Sequence, residues 1–172
     1  MDLRNQILKE HTKDNCKKIV DWVGDDVSRF DDLFDLFLND EYRVTQRAAW
    51  PMSYCVIAHP DFMKNNFAKL ISNLQKLGIH DSIKRNTVRL LQSVDIPKKF
   101  EGSVMNICFE YLESPKEAVA IKAFSLTILG NLSKKYPEII PEIKLLIEDQ
   151  ISHQTSAFKS RANSLLKEFR ST

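Results

Sequence analysis

Glycine occurs four times and proline six times in 172 residues, too few for a chain of hairpin turns but suited to helices joined by short connections. The three cysteines, Cys16, Cys55 and Cys108, are odd in number and far apart, with no C-x-x-C. That excludes a disulfide framework and a thiolate zinc site, and the apolar surroundings of Cys55 and Cys108 mark them as small core residues. No apolar run approaches the roughly 20 residues that cross a bilayer. The first ten residues mix charge throughout and hold no apolar signal core, so the expected location is the cytoplasm. Gly-rich phosphate loops, G-x-S-x-G and H-E-x-x-H are all missing. The four histidines (His11, His59, His80 and His153) are scattered. No catalytic residue, metal site or cofactor is therefore expected.

What the chain does contain is apolar periodicity. With 43% hydrophobic and 28% charged residues it has the composition of a folded protein with one sizeable core. Phe30, Leu33, Phe34, Phe37 and Leu38 repeat at i, i+3, i+4, i+7 and i+8, the spacing of a helix that buries one face. Asp31, Asp32 and Asp35 fall on its other face and read as solvated. They belong to an acidic run, Asp21, Asp25, Asp26, Asp31, Asp32, Asp35, Asp40 and Glu41, interrupted by Arg29 alone. Thr12 reads as an N-cap and Gly24 as a helix stop. Asp81 reads as the cap of a later helix, and Ser114-Pro115-Lys116-Glu117 as a capping box opening another.

Four segments share one pattern: an apolar residue, a basic or amide residue three later, then a small one. They are Val44-x-x-Arg47-Ala48, Ile83-x-x-Asn86-Thr87, Val119-x-x-Lys122-Ala123 and Phe158-x-x-Arg161-Ala162. The steps between their third residues are close to 40 residues. Pro60, Pro97 and Pro137 recur at a similar spacing, each placed to open a helix. A period of that length in helical sequence marks a stack of helix pairs, none of which can bury its apolar face alone.

These residues resemble HEAT repeats: paired helices of about 40 residues, apolar-x-x-Arg-small in the second (B) helix, and Pro at the next start. Gln46-Arg47-Ala48-Ala49-Trp50-Pro51 and the segment from Val119 to Pro137 are also similar to short bacterial HEAT-like proteins. The resemblance implies an all-α, right-handed solenoid of about four helix pairs in a single domain, residues 1–172. Residues 1–25 would form an N-terminal cap, and 26–59, 60–96, 97–136 and 137–172 the repeat units.

The candidate site lies on the B helices. Arg43, Arg47, Trp50 and Tyr54 fall at i, i+4, i+7 and i+11 and share a face. Pro51 within that helix removes a hydrogen bond and should kink it. Arg85, Arg89 and Lys122 take nearby positions in the following repeats, giving a basic, aromatic-edged stripe. Two readings compete for it. The arginines of such patterns tie neighbouring repeats together, so Arg47 and Arg161 can be internal staples and Trp50 and Tyr54 core. Alternatively the stripe binds a partner. The expected activity is then a non-enzymatic scaffold that binds a protein along its concave B-helix surface. The alternative is nucleic-acid binding, as the resemblance to HEAT-like DNA glycosylases implies, although the acidic residue those enzymes hold amid groove aromatics has no place here.

Overall fold

The computed structural model describes residues 1–171 and is 77% helical, with no strand among the described residues. Among these residues ten α-helices follow one another: α1 (Leu3–Lys9), α2 (Lys13–Val23), α3 (Val27–Asn39), α4 (Tyr42–Ala58), α5 (Phe67–Leu74), α6 (Asp81–Leu91), α7 (Lys98–Glu113), α8 (Val119–Ser133), α9 (Ile140–Gln150) and α10 (Ser156–Glu168). None of them is long and apolar enough to cross a membrane. The chain divides into two compact units, residues 1–95 and 96–172.

In the first unit α4 is the hub, packing against α1, α2, α3 and α6. Its buried positions explain why: Val44, Ala48, Ala49, Met52, Cys55 and Val56 are almost fully enclosed and form one broad face of the helix. The predicted face of α3 is equally buried, with Phe30, Leu33, Phe34 and Phe37 at 0–3% exposure. Phe30 stacks on Phe62, ring centroids 4.5 Å apart. In the second unit α8 plays the same part, contacting α7, α9 and α10. Ile121, Leu126, Ile128 and Leu129 are fully buried there. The close approach of α10 is set at Gly130, where even a Cβ would come within 2.6 Å of Leu165 Cδ1. Successive B helices therefore pack directly on one another, α2 on α4 and α4 on α6 in one unit, α8 on α10 in the other.

Helix ends show where local signals hold and where they yield. Thr12 caps α2 through Asn15 N–H, and Gly24 ends it at φ +54, a conformation suited to glycine. Pro97 is the N-cap of α7, whereas Pro60 and Pro137 each open a 3₁₀ turn, and α5 and α9 begin only at Phe67 and Ile140. The cap of α6 is His80, whose Nδ1 accepts from Ser82 N–H at 3.0 Å; Asp81 is the first helical residue instead. The Ser114 capping box does not form. Ser114 ends α7 in extended conformation, as a residue before proline prefers, and α8 starts later with Ala118 as its cap. Helix α4 runs unbroken through Pro51.

Candidate functional site

The basic position of the four-fold pattern is a tie in every case. Arg47 on α4 donates from Nη1 to the carbonyl oxygen of Leu8, 2.7 Å away in α1. Asn86 on α6 donates to Ser82 O at 2.8 Å and accepts from Ser53 Oγ of α4 at 3.5 Å. Lys122 on α8 donates to Leu112 O at 2.9 Å and to Gln150 Oε1 at 2.8 Å. Arg161 on α10 donates to Thr127 Oγ1 of α8 at 2.7 Å, and its guanidinium lies 5.0 Å from the Phe124 ring centre. Arg47, Lys122 and Arg161 each donate to another helix, whereas Asn86 donates within α6 and is joined to α4 by the Ser53 hydroxyl. The staple reading thus accounts for the recurrence.

Lys122 consequently leaves the predicted stripe. It is 5% exposed, and burial lowers its pKa from the ordinary lysine value because the charged form loses hydration. Its ammonium finds its partners inside the second unit, so it is a structural residue there.

The other six candidates all lie in the first unit, on α4 and α6. Arg43 and Arg85 are exposed, Arg47, Trp50 and Arg89 half-buried, and Tyr54 is 38% exposed. Neither Trp50 nor Tyr54 is core. Arg89 lies over the Tyr54 ring, 4.2 Å from its centre, a cation–π contact that joins α6 to α4. Hydrogen bonding with Arg89 holds the Tyr54 phenol below its ordinary pKa. Trp50 meets His11 edge to face, centroids 5.4 Å apart. His11 belongs to this cluster although its position in the sequence gave no sign of it. Burial first, then the charges of Arg47 and Arg85, lower its pKa.

Among the described residues none of Arg43, Arg47, Arg85 and Arg89 has a carboxylate partner. Four acids of the Asp21–Glu41 run form ion pairs with other residues. Arg4 takes Asp40 at 2.9 Å and Glu41 at 3.3 Å, Lys17 takes Asp21, and Arg29 takes Asp26 at 3.4 Å. Four uncompensated guanidiniums beside two aromatic rings make a positive, amphipathic face on neighbouring B helices.

Beside that face a small cavity of about 180 Å³ opens between α2 and α4. A larger depression of about 750 Å³ lies between α3 and α5. Its walls carry opposite charges, Asp31, Asp35 and Asp61 against Lys69 and Lys76, and the acids are already served: Asn66 donates to Asp31 at 3.3 Å, Asn39 to Asp35 at 2.7 Å, and Lys64 pairs with Asp61 at 3.1 Å. It has no dominant electrostatic preference.

Compared with known proteins, residues 3–169 match the family model for the HEAT repeat domain. No curated protein and no solved structure matches the chain.

Proposed function

Because this chain belongs to the HEAT-repeat family, we propose that it is a non-catalytic scaffold that binds another protein through the B-helix face formed by α4 and α6. Arg43, Arg47, Trp50, Tyr54, Arg85 and Arg89 are the contact residues. The observation that carries this reading is the set of four arginines without carboxylate partners, concentrated beside Trp50 and Tyr54. Arginine and large aromatics dominate the energetics of protein interfaces, because each combines apolar area with directed hydrogen bonding. Arg47 serves twice on this view, with one nitrogen held by Leu8 and the remaining donors available. The three unpaired, buried thiols suit a reducing compartment, and the cytoplasm is the location we assign.

The test is affinity capture with the wild-type protein and with the double variant Arg43→Glu/Arg85→Glu. Both side chains are exposed and lack ion-pair partners, so the variant should melt like the wild type. Capture of a partner by the wild type that the variant loses supports the reading, and equal capture by both overturns it. Titration with duplex and single-stranded DNA at several salt concentrations separates the alternative. Micromolar binding that weakens steeply with salt would transfer the face to nucleic acid.

A further inference from the structure

The cavity between α2 and α4 is small and almost wholly apolar in its walls, yet it sits among cations. It is lined by Lys13, Cys16, Lys17, Val20, Trp50 and Tyr54. Lys13 and Lys17, both exposed, are the charged residues that border it. At about 180 Å³ it is well below the roughly 300–1,000 Å³ of pockets that hold a whole small molecule or cofactor. One bulky side chain fits it. Lys13 has no acidic partner among the described residues, and Arg89 closes the Tyr54 side at 4.2 Å from the ring centre. Among the described residues the only acid paired with a cation of the rim is Asp21, joined to Lys17 in an exposed i,i+4 contact that is easily exchanged.

We infer that this slot takes a single leucine-sized or aromatic side chain from an acidic peptide segment of the partner, with flanking Asp or Glu residues reaching Lys13, Lys17 and the arginines of α4 and α6. The inference rests on the protein-binding reading of the same face and specifies the partner's chemistry. Charge complementarity selects an acidic segment, because the side chains around the slot offer several uncompensated cations. The apolar walls select an anchor, because an uncovered hole of this kind gains from losing water while a charged group placed there would not. A stacked nucleobase is disfavoured by the rings themselves. Arg89 already covers a face of Tyr54 and His11 stands against Trp50, so they enclose a slot instead of presenting an open platform.

The experiment is selection of a random twelve-residue peptide library on the folded protein, followed by fluorescence anisotropy of the enriched peptides. Enriched sequences should place Asp and Glu around one Leu, Ile, Phe or Trp, and replacing that residue by Ala should weaken binding at least tenfold. Val20→Trp, which fills the slot without changing charge, should remove that tenfold difference. Lys13→Glu, on an exposed site, should weaken the acidic peptides even if Val20→Trp melts early. Enrichment of basic peptides, no enrichment, or an anchor dispensable at equal affinity would each overturn the inference. So would tighter binding of DNA than of any peptide at the same salt. If Arg43→Glu/Arg85→Glu abolishes partner capture while no peptide shows an anchor, the binding face stands and the slot assignment alone falls.

Discussion

Arg47 on α4 holds the last turn of α1 by donating from Nη1 to the carbonyl oxygen of Leu8 at 2.7 Å, across 39 residues of sequence. That carbonyl belongs to a helix of seven residues, whose C-terminal acceptors have no intrahelical donors. A positive donor there satisfies an orphan group and complements the dipole of the helix end. Arg47→Met, which keeps much of the apolar stem, should destabilise the first unit by about 1–2 kcal/mol, the scale of a charge-assisted hydrogen bond on a half-exposed group. Hydrogen exchange should show the loss as faster opening of α1. Equal protection of α1 in variant and wild type would refute the staple.

Lys122 makes the same kind of tie in a different setting, and the difference can be measured. Its two acceptors keep other donors if it is removed: Gln150 Nε2 also donates to Leu112 O at 2.8 Å, and Gln154 Nε2 reaches Gln150 Oε1 at 3.3 Å. A neutral side chain of similar length therefore strands little and escapes the cost of burying a charge. Lys122→Met should change stability by less than about 1 kcal/mol, whereas Lys122→Ala, which also leaves a void among buried neighbours, should cost about 2 kcal/mol. Denaturant melts of the two variants supply the comparison. A methionine variant as unstable as the alanine one would show that the ammonium itself matters.

Much of this fold is legible in residue spacing. The i, i+3, i+4 pattern of Phe30, Leu33, Phe34 and Phe37 identifies a buried face, because burial follows helical geometry directly. The i, i+4, i+7, i+11 set on α4 likewise brings Arg43, Arg47, Trp50 and Tyr54 to one side. What spacing does not carry is the identity of the neighbour. Whether a lysine at the pattern position meets water or a helix-end carbonyl depends on where α7 and α9 end, and for Lys122 it is the Leu112 carbonyl and the Gln150 amide. His11 joins the cluster from the loop before α2, where no helical spacing marks it. The Ser114 box failed for a local reason: serine before proline favours extended backbone, and α7 had already claimed that position as its end.

The three cysteines should be unreactive in the native state. Burial pushes the Cys16 thiol up to about 11 and those of Cys55 and Cys108 up to about 12, leaving little thiolate at neutral pH. Cys108 is completely enclosed, while Cys16, 6% exposed, lines the slot between α2 and α4. An aromatic disulfide reagent at pH 8 should therefore titrate no thiol quickly in buffer and all three in denaturant, with Cys16 first where slow reaction is seen. Rapid reaction of Cys108 in buffer would contradict its burial.

The acid limit of the second unit should be set in part by Glu101. Its side chain is 2% exposed, at the first turn of α7, yet Oε1 accepts from Lys135 Nζ at 2.7 Å and Oε2 from the Tyr136 hydroxyl at 2.5 Å. The Lys135 hydrogen bond first, and the Tyr136 hydrogen bond next, hold its carboxyl below the ordinary value of 4.5, and the same contact raises the Tyr136 phenol. A carboxyl whose pKa is lower folded than unfolded binds fewer protons in the native state, so stability rises with pH across that interval. The contribution is complete above the unfolded value and is lost as pH falls through the folded one. Glu101→Gln keeps the shape but not the charge. Melting temperatures of wild type and variant should differ at pH 7, and the gap should narrow steadily below about pH 4.5 as the wild-type carboxylate takes up its proton. A gap independent of pH would mean that Glu101 acts through packing alone, and that the bond to Lys135 carries no charge-dependent stability.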